Sequence, residues 1–386
     1  MTLLFITEVV PFPVFGGEKL RSYAWCKIFS GLFSNVVAVI GKTTNKAYEE
    51  YAFDNIDFHE YDFRSKLSYN KLINCLKTFR KDKELIILFE KLLKENTVDV
   101  VFIDYQYQGQ YIQFFKSRGI PVIYGTHNVQ SRISYQHPSL SFINKISYTL
   151  AFLLYAIHEW YYFRKADALI AVSEKDNQYY KLYIPDAKTF VIPNFLMEEN
   201  YTLPGIKKQD HVVMSANFGA FQNSAGLEWF LEKVWPNPIF ENYKLVLVGI
   251  GSDTVIKKLN STNAFRNVQA MGEVDDLKKY IASARVSVVP LLHGSGTRLK
   301  CIESMALRTQ LIATSKGAEG IEHEGSIVIA DTPELFAGKL SEILEGKIDY
   351  TEKAHAVFIN KYSSKPNSAV FEKIIEQVMK ENTNHS

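Results

Sequence analysis

The chain has 386 residues, 47% of them hydrophobic and 22% charged, with a formal net charge of +2. That supplies apolar sequence for a large core and, at this length, for two or three domains; so slight a positive balance argues against nucleic acid as a partner. Cys26, Cys75 and Cys301 are an odd count with no CxxC pair, which speaks against a disulfide framework and a zinc site and for a reducing cytoplasm.

Met1-Thr2-Leu3-Leu4-Phe5-Ile6 has no basic residue before its apolar run, unlike a signal peptide, and residues 3–7 read as a first strand. A loop with Pro11, Pro13 and the pair Gly16-Gly17 follows, after which Leu20, Tyr23, Ala24 and Ile28 recur at helical spacing. The glycine pair is either a tight turn or a place where backbone N–H groups meet a phosphate; it is not a GxGxxG fingerprint. Strands are expected over 36–40, 98–104 and 121–125, helical periodicity over 72–93, and a short helix over 109–116. Polar, aromatic residues 43–70 yield no assignment. The strand over 121–125 delivers Thr126-His127-Asn128 at its carboxyl end, the edge of an open parallel sheet where ligands bind. His127 is therefore a site residue or a structural histidine.

Residues 141–163 form a long aromatic helix for which the core is the expected place. A membrane surface, with Lys145, Arg164 and Lys165 nearby, is the alternative. Its most apolar run, 148–157, is too short to span a bilayer. A strand over 168–172, Ser173 capping a helix over 174–182, and a strand over 190–192 complete a first alternation. The polar stretch 197–210 breaks the pattern and reads as an interdomain linker. A second alternation follows, with strands at 212–214, 244–248, 268–271, 286–292 and 310–314, helices at 225–234 and from Asp275-Asp276 to 284, and the turn Gly272-Glu273-Val274. A final amphipathic helix carries Val370, Ile374, Ile375 and Val378. This regular alternation predicts an α/β fold of two doubly wound, Rossmann-like domains, residues 1–196 and 197–365. Facing across a cleft, they would suit a ligand with two parts.

The chain is organised around His293-Gly294-Ser295-Gly296-Thr297-Arg298-Leu299-Lys300-Cys301-Ile302-Glu303-Ser304-Met305-Ala306. Strand, glycine loop and helix together make an anion-binding geometry, because N–H groups and the positive helix end converge where glycine admits a ligand. Arg298, expected in the first helical turn, opposes the dipole, and a phosphate between them would account for it. Glu303 sits at the edge of the apolar stripe of Ile302 and Met305, an unfavourable place for a carboxylate without a partner. It can accept hydrogen bonds from a diol such as ribose. The ordinary reading makes Arg298 and Lys300 solvated cations and Glu303 a surface charge or the partner of Arg298.

Residues 294–300, Glu303-Ser304-Met305-Ala306 and Ala313-Thr314-Ser315-Lys316-Gly317-Ala318-Glu319-Gly320 closely resemble the donor-site signature of family 4 glycosyltransferases of GT-B fold. The likeness covers nearly the whole chain. Residues 11–21 resemble the family's glycine-rich loop and Thr126-His127-Asn128 its active-site histidine segment. Lys165-Ala166-Asp167, Ala171-Val172-Ser173 and Ile192-Pro193-Asn194 resemble its interdomain region.

The resemblance implies a retaining, metal-independent, hexosyltransferase-like enzyme that needs no cofactor. It would move a sugar from a nucleotide-sugar donor to a glycan, lipid-linked or other hydroxyl acceptor in cell-surface polysaccharide or glycoconjugate synthesis. A helix over 366–384 would pack back on the first domain, and the protein would be cytoplasmic or peripheral at the inner membrane face. Carried over by position, Glu303 would bind the ribose hydroxyls, Arg298 the diphosphate with charge from Lys300, and Gly16 and Gly17 would face the phosphate. The backbone of Gly272, Glu273 and Val274 would meet the base, residues Gly294, Ser295, Gly296 and Thr297 the sugar, and His127 the transferred sugar or acceptor. His127, Arg298 and Glu303 form the implied catalytic set.

Two positions depart from the family pattern. Ser295 stands where the paired-glutamate motif has its first glutamate, and the basic pair of the 217–223 loop is missing. A donor-binding scaffold without activity and a nucleotide-sugar epimerase are the rival readings.

Overall fold

The computed structural model describes all residues except 13–15, 44–52, 64–70, 106, 136–141, 260–266, 295–297 and 384–386. The chain forms two compact units, Met1–Asn194 with Ser364–Ser386, and Phe195–Ser363.

In the first unit the strands are Thr2–Ile6 (β1), Asn35–Gly41 (β2), Ile56–Tyr61 (β3), Val100–Asp104 (β4), Val122–Gly125 (β5), Ala168–Ala171 (β6) and Thr189–Val191 (β7). They form one parallel sheet in the order β3-β2-β1-β4-β5-β6-β7. A parallel sheet carries its crossover helices on both faces, so its inner strands are apolar on both sides. Leu3 to Ile6 in β1 and Val100 to Ile103 in β4 are accordingly buried throughout. β3 lies inside the unassigned 43–70 stretch. It is an edge strand in which only Ile56 is fully buried, so it lacks the continuous apolar run of the inner strands.

The periodicity over 72–93 resolves into two helices, Lys71–Lys77 and Lys83–Glu95, the second capped by the Asp82 carboxylate, which accepts from the Glu84 N–H at 3.0 Å. The aromatic helix runs over Phe142–His158 and widens into a π-helical turn over Glu159–Phe163. Its assignment to the core holds for one face only: Ala151, Tyr155, His158, Tyr162 and Phe163 are buried, whereas Ile146, Leu150, Leu153 and Ile157 on the other face are exposed.

The terminal helix Ser364–Thr383 belongs to the first unit. Phe371 brings its ring to 5.0 Å from Trp25, 5.3 Å from Phe29 and 5.4 Å from Phe102, and Ile374, Ile375 and Val378 are buried behind it. Val370, grouped with these in the sequence pattern, is instead 37% exposed.

The second unit holds Gln209–Ser215 (β8), Lys244–Val248 (β9), Val268–Ala270 (β10), Ala284–Val289 (β11), Gln310–Ala313 (β12) and Val328–Ile329 (β13). They are also all parallel, in the order β10-β9-β8-β11-β12-β13. The stretch 197–210 is part of this unit rather than a free linker: it forms the turn Glu198–Tyr201 and buries Tyr201.

Phe371→Ala should destabilise the first unit by about 3–5 kcal/mol, since it removes a fully buried aromatic from a ring cluster. Val370→Ala should be nearly neutral. Urea unfolding of both variants, followed by circular dichroism, checks the contrast.

Candidate active site

β8 and β11 are neighbours in the second sheet, and the strand order reverses between them. Their crossovers leave in opposite directions, so the loops at their carboxyl ends part and open a crevice. The loop after β11 carries Gly294, whose φ of 104° is in the left-handed region. A Cβ at Gly294 would stand 3.2 Å from the Arg298 guanidinium, so glycine lets the arginine lie against the chain. Residues Ser295, Gly296 and Thr297 fall outside the described residues.

Arg298 is 8% exposed and directly precedes the helix Leu299–Ala306, one residue earlier than expected. Its carbonyl accepts the Cys301 N–H at 2.9 Å. Burial draws the guanidinium pKa down, against the opposing pull of Cys301 and Glu319. Lys300 is held rather than solvated: its ammonium donates to Asn223 Oδ1 at 3.0 Å, and burial lowers its pKa to about 8. Asn223 in turn donates to the Asn217 carbonyl at 2.8 Å. Lys300 and Asn223 thereby tie the helix after β11 to the loop after β8, and Phe221 stacks on His293 across the same two segments, ring centroids 6.0 Å apart.

Glu303, one turn further along, is half-buried and accepts from the Tyr201 hydroxyl at 3.1 Å. Burial pushes its pKa up to about 6, with the Tyr201 hydrogen bond and the charges of Lys300 and Lys278 pulling the other way. Lys278 lies 5.7 Å from the Tyr201 ring, on the helix Leu277–Ser283 that follows the turn at 272–274. In that turn Gly272 donates to Ser252 Oγ at 2.9 Å, Glu273 is exposed, and Val274 packs beside Val213 and Val246. Ser252, the first residue of the helix Ser252–Leu259, thus acts as acceptor for this turn.

Gly16, Gly17 and His127 all belong to the first unit. Gly16 and Gly17 are exposed at the start of the helix Gly17–Leu32, after β1 and again at the reversal of strand order. The same helix carries Arg21, which is 2% exposed. Its guanidinium donates to Asp104 Oδ1 at 2.7 and 3.1 Å and to Asn194 Oδ1 at 2.8 Å. Asp104 is fully buried at the end of β4 and also meets His127 Nε2 at 3.2 Å. Burial pushes this carboxyl up, but the attraction of Arg21 and His127 outweighs it and holds the pKa at about 2. Gly125 makes room for the pair, because a Cβ there would lie 2.8 Å from Asp104 Oδ1. Behind His127, buried Glu159 accepts from the N–H groups of Gln130 and Ser131 at 2.8 and 3.2 Å. It thus caps the helix Gln130–Tyr135 and orients the loop.

The first unit also holds a cavity of about 510 Å³, lined among others by Glu8, Tyr61, Tyr107, Gln108, Tyr111 and Tyr155. Sequence reasoning missed it, since its walls come from widely separated segments. It also missed Arg21, Asp104, Tyr201, Asn223 and Glu159 as partners. Only Asp104, a carboxylate closing an otherwise apolar strand, carries a readable signal. Among the described residues no group of three or more His, Cys, Asp or Glu side chains is gathered as a metal site.

Two family models match the chain: Glycosyltransferase Family 4 over residues 56–198 and Glycosyl transferases group 1 over residues 210–346. A relative from Klebsiella pneumoniae, an "uncharacterized 44.6 kDa protein in cps region", is 26% identical over 184 residues. That match spans 45% of this chain and 46% of the relative, about half its length. Sucrose-phosphate synthase from Thermosynechococcus elongatus superposes with a TM-score of 0.72 at 16% identity, over 98% of each chain. HepE of Anabaena, in complex with UDP and glucose, superposes with a TM-score of 0.66 at 13% identity, over 97% of this chain and 99% of that one. At such identities the structural likeness speaks for the fold, and the two family models fall on both halves of the chain. The chain belongs to the group 1, family 4 glycosyltransferases and has their GT-B fold.

Proposed function

We propose that this protein transfers a sugar, with retention and without a metal, from a nucleoside diphosphate sugar to a hydroxyl acceptor in surface-polysaccharide or glycoconjugate synthesis. The observation that carries the reading is the segment after β11. There a buried arginine stands at the positive end of a helix, a lysine is drawn toward neutrality, and a glutamate is pushed toward it from the other side. Perturbed groups of opposite sign on one segment are typical of a site built for a charged ligand.

The diphosphate lies against Arg298 and the first N–H groups of the helix Leu299–Ala306, while the Glu303 carboxylate accepts hydrogen bonds from the ribose hydroxyls. Lys300 reaches Asn223, so its charge is brought to the loop that lacks the family's basic pair. As the bond from the anomeric carbon to the diphosphate breaks, these cations and dipoles stabilise the charge on the leaving oxygens. The acceptor hydroxyl attacks from the same face, and its proton passes to the departing phosphate oxygen, so no side-chain nucleophile is needed. His127 serves the transferred sugar or the acceptor, its ring steadied by Asp104. HepE, crystallised with UDP and glucose, supports a nucleotide-sugar donor, and the relative in a cps region supports the polysaccharide reading.

Thermal-shift screening of nucleotide sugars identifies the donor. With that donor, Glu303→Ala and Arg298→Ala should each lower kcat/KM at least about tenfold while the fold is retained, since each removes hydrogen bonds to a charged group. Unchanged donor kinetics in both would remove the assignment. Binding without turnover would favour the scaffold reading, and an altered sugar still on its nucleotide would favour the epimerase.

Donor affinity should also be bell-shaped in pH. Glu303 must be ionised to accept two hydroxyls and Lys300 protonated to attract the diphosphate. With folded pKa values of about 6 and about 8, the competent form prevails between them. It is lost as pH falls through the first value and as it rises through the second. Titrating nucleotide-sugar affinity against pH tests this: Glu303→Gln should remove the acidic limb and Lys300→Met the alkaline one.

A further inference from the structure

The turn Glu198–Tyr201 is pinned at both ends. Before it, Phe195 and Leu196 are buried, and the Leu196 N–H donates to the Tyr362 carbonyl at 2.8 Å. After it, the Thr202 hydroxyl donates to the Glu198 carbonyl at 3.3 Å. Tyr201 itself is 6% exposed, and a phenol so buried needs an acceptor for its O–H. That acceptor is Glu303 Oε1 at 3.1 Å. The Lys278 ammonium lies 5.7 Å from the Tyr201 ring, within the range of a cation–π contact that steadies the ring.

Among the described residues, the Tyr201 hydroxyl is the hydrogen-bond donor to Glu303, while Lys300 and Lys278 act on the carboxylate as nearby charges. An ionised carboxylate has about four lone-pair sites on its two oxygens, so one donor orients it and leaves sites for others. The several rotatable bonds of a glutamate lose their freedom when a ligand fixes the side chain, and a carboxylate held beforehand loses less. Burial and the charge of Glu303 push the Tyr201 pKa well up. The hydroxyl therefore keeps its proton and remains a donor wherever Glu303 is ionised.

We infer that Tyr201 is a positioning residue for the donor: its hydroxyl fixes the Glu303 carboxylate so that it accepts from both ribose hydroxyls, and thereby sets a preference for ribonucleotides over deoxyribonucleotides. This rests on the proposed contact of Glu303 with ribose and adds to it a residue outside the segment after β11. A deoxyribonucleotide offers one hydroxyl fewer. An oriented carboxylate then loses a charge-assisted hydrogen bond, whereas a freely turning one swings to the hydroxyl that remains and discriminates less.

The experiment is calorimetric titration of the full chain with UDP, ADP and GDP, each paired with its deoxyribonucleoside counterpart. For the base that binds, the wild type should prefer the ribonucleotide about tenfold, the strength of one hydrogen bond to a charged group. Tyr201→Phe keeps the ring and should reduce that preference at least about threefold, weakening the ribonucleotide and leaving the deoxyribonucleotide nearly unchanged. Glu303→Ala should abolish the preference, and Tyr201→Phe added to it should weaken ribonucleotide binding no further, since both act on the same hydroxyls. Any loss of folded protein lowers both nucleotides alike and leaves their ratio intact. An equal loss for both nucleotides in Tyr201→Phe, as a merely structural tyrosine would give, would overturn the inference while Glu303 keeps its assignment. So would a wild-type preference in Tyr201→Phe beside its abolition in Glu303→Ala. No binding, or no preference in the wild type, would remove the ribose contact and the inference with it.

Discussion

Two neighbouring parallel strands whose crossovers leave in opposite directions cannot have their following loops packed together. In each sheet this occurs where the order reverses, between β1 and β4 and between β8 and β11. The centres of the two charged clusters are placed by that constraint. Asp104 ends β4 and Arg21 stands on the helix after β1, while the loop with Gly294 and Arg298 follows β11 and the segment with Asn217 and Asn223 follows β8. The buried apolar strands are the means by which short polar segments distant in sequence are brought to one edge.

The two charged clusters at these edges are in different electrostatic states. Asp104 is buried completely, yet its pKa falls to about 2, because Arg21 and His127 supply more attraction than burial removes. That cluster is internally balanced, and removing one partner from such a pair strands the other's charge in the interior. Around Leu299–Ala306 burial prevails: Arg298 and Lys300 are drawn down and Glu303 is pushed up. There the protein's own groups do not compensate fully for the loss of water. The contrast separates a cluster whose charges compensate one another from one whose charges burial leaves undercompensated, at corresponding places in the two sheets.

How much of this was legible in the sequence follows from the same physics. Inner parallel strands are apolar on both faces, so β1, β2, β4 and β9 appear as apolar runs, and the alternation around them suffices for the fold class. β3 was not assigned, because an edge strand needs little apolar sequence and Asp57, His59 and Glu60 hide it. At the site, Arg298 and Glu303 were noticeable because each is in an unfavourable position for an isolated helix. Their partners were not. Tyr201 lies in a polar stretch that reads as a linker, and the Lys300 contact to Asn223 joins residues 77 positions apart. Local chemistry in a sequence can show that a group requires a partner, while the topology decides which residue supplies it.

The aromatic helix shows the complementary limit. Periodicity establishes that residues 146–160 have an aliphatic face, but it contains no information about the side on which the rest of the molecule lies. The default inference turns that face inward, because aliphatic burial is the largest single gain available to a helix. Here the opposite face is needed inside: Glu159 caps the helix Gln130–Tyr135 and so orients the loop bearing His127, and Tyr155 closes the cavity wall. A helix rotated to bury its leucines would carry Glu159 away from that cap and leave the first N–H groups of Gln130–Tyr135 without their acceptor. The inward face is thus set by the Glu159 cap together with the packing of Ala151, Tyr155, Tyr162 and Phe163, and the aliphatic face is left outward.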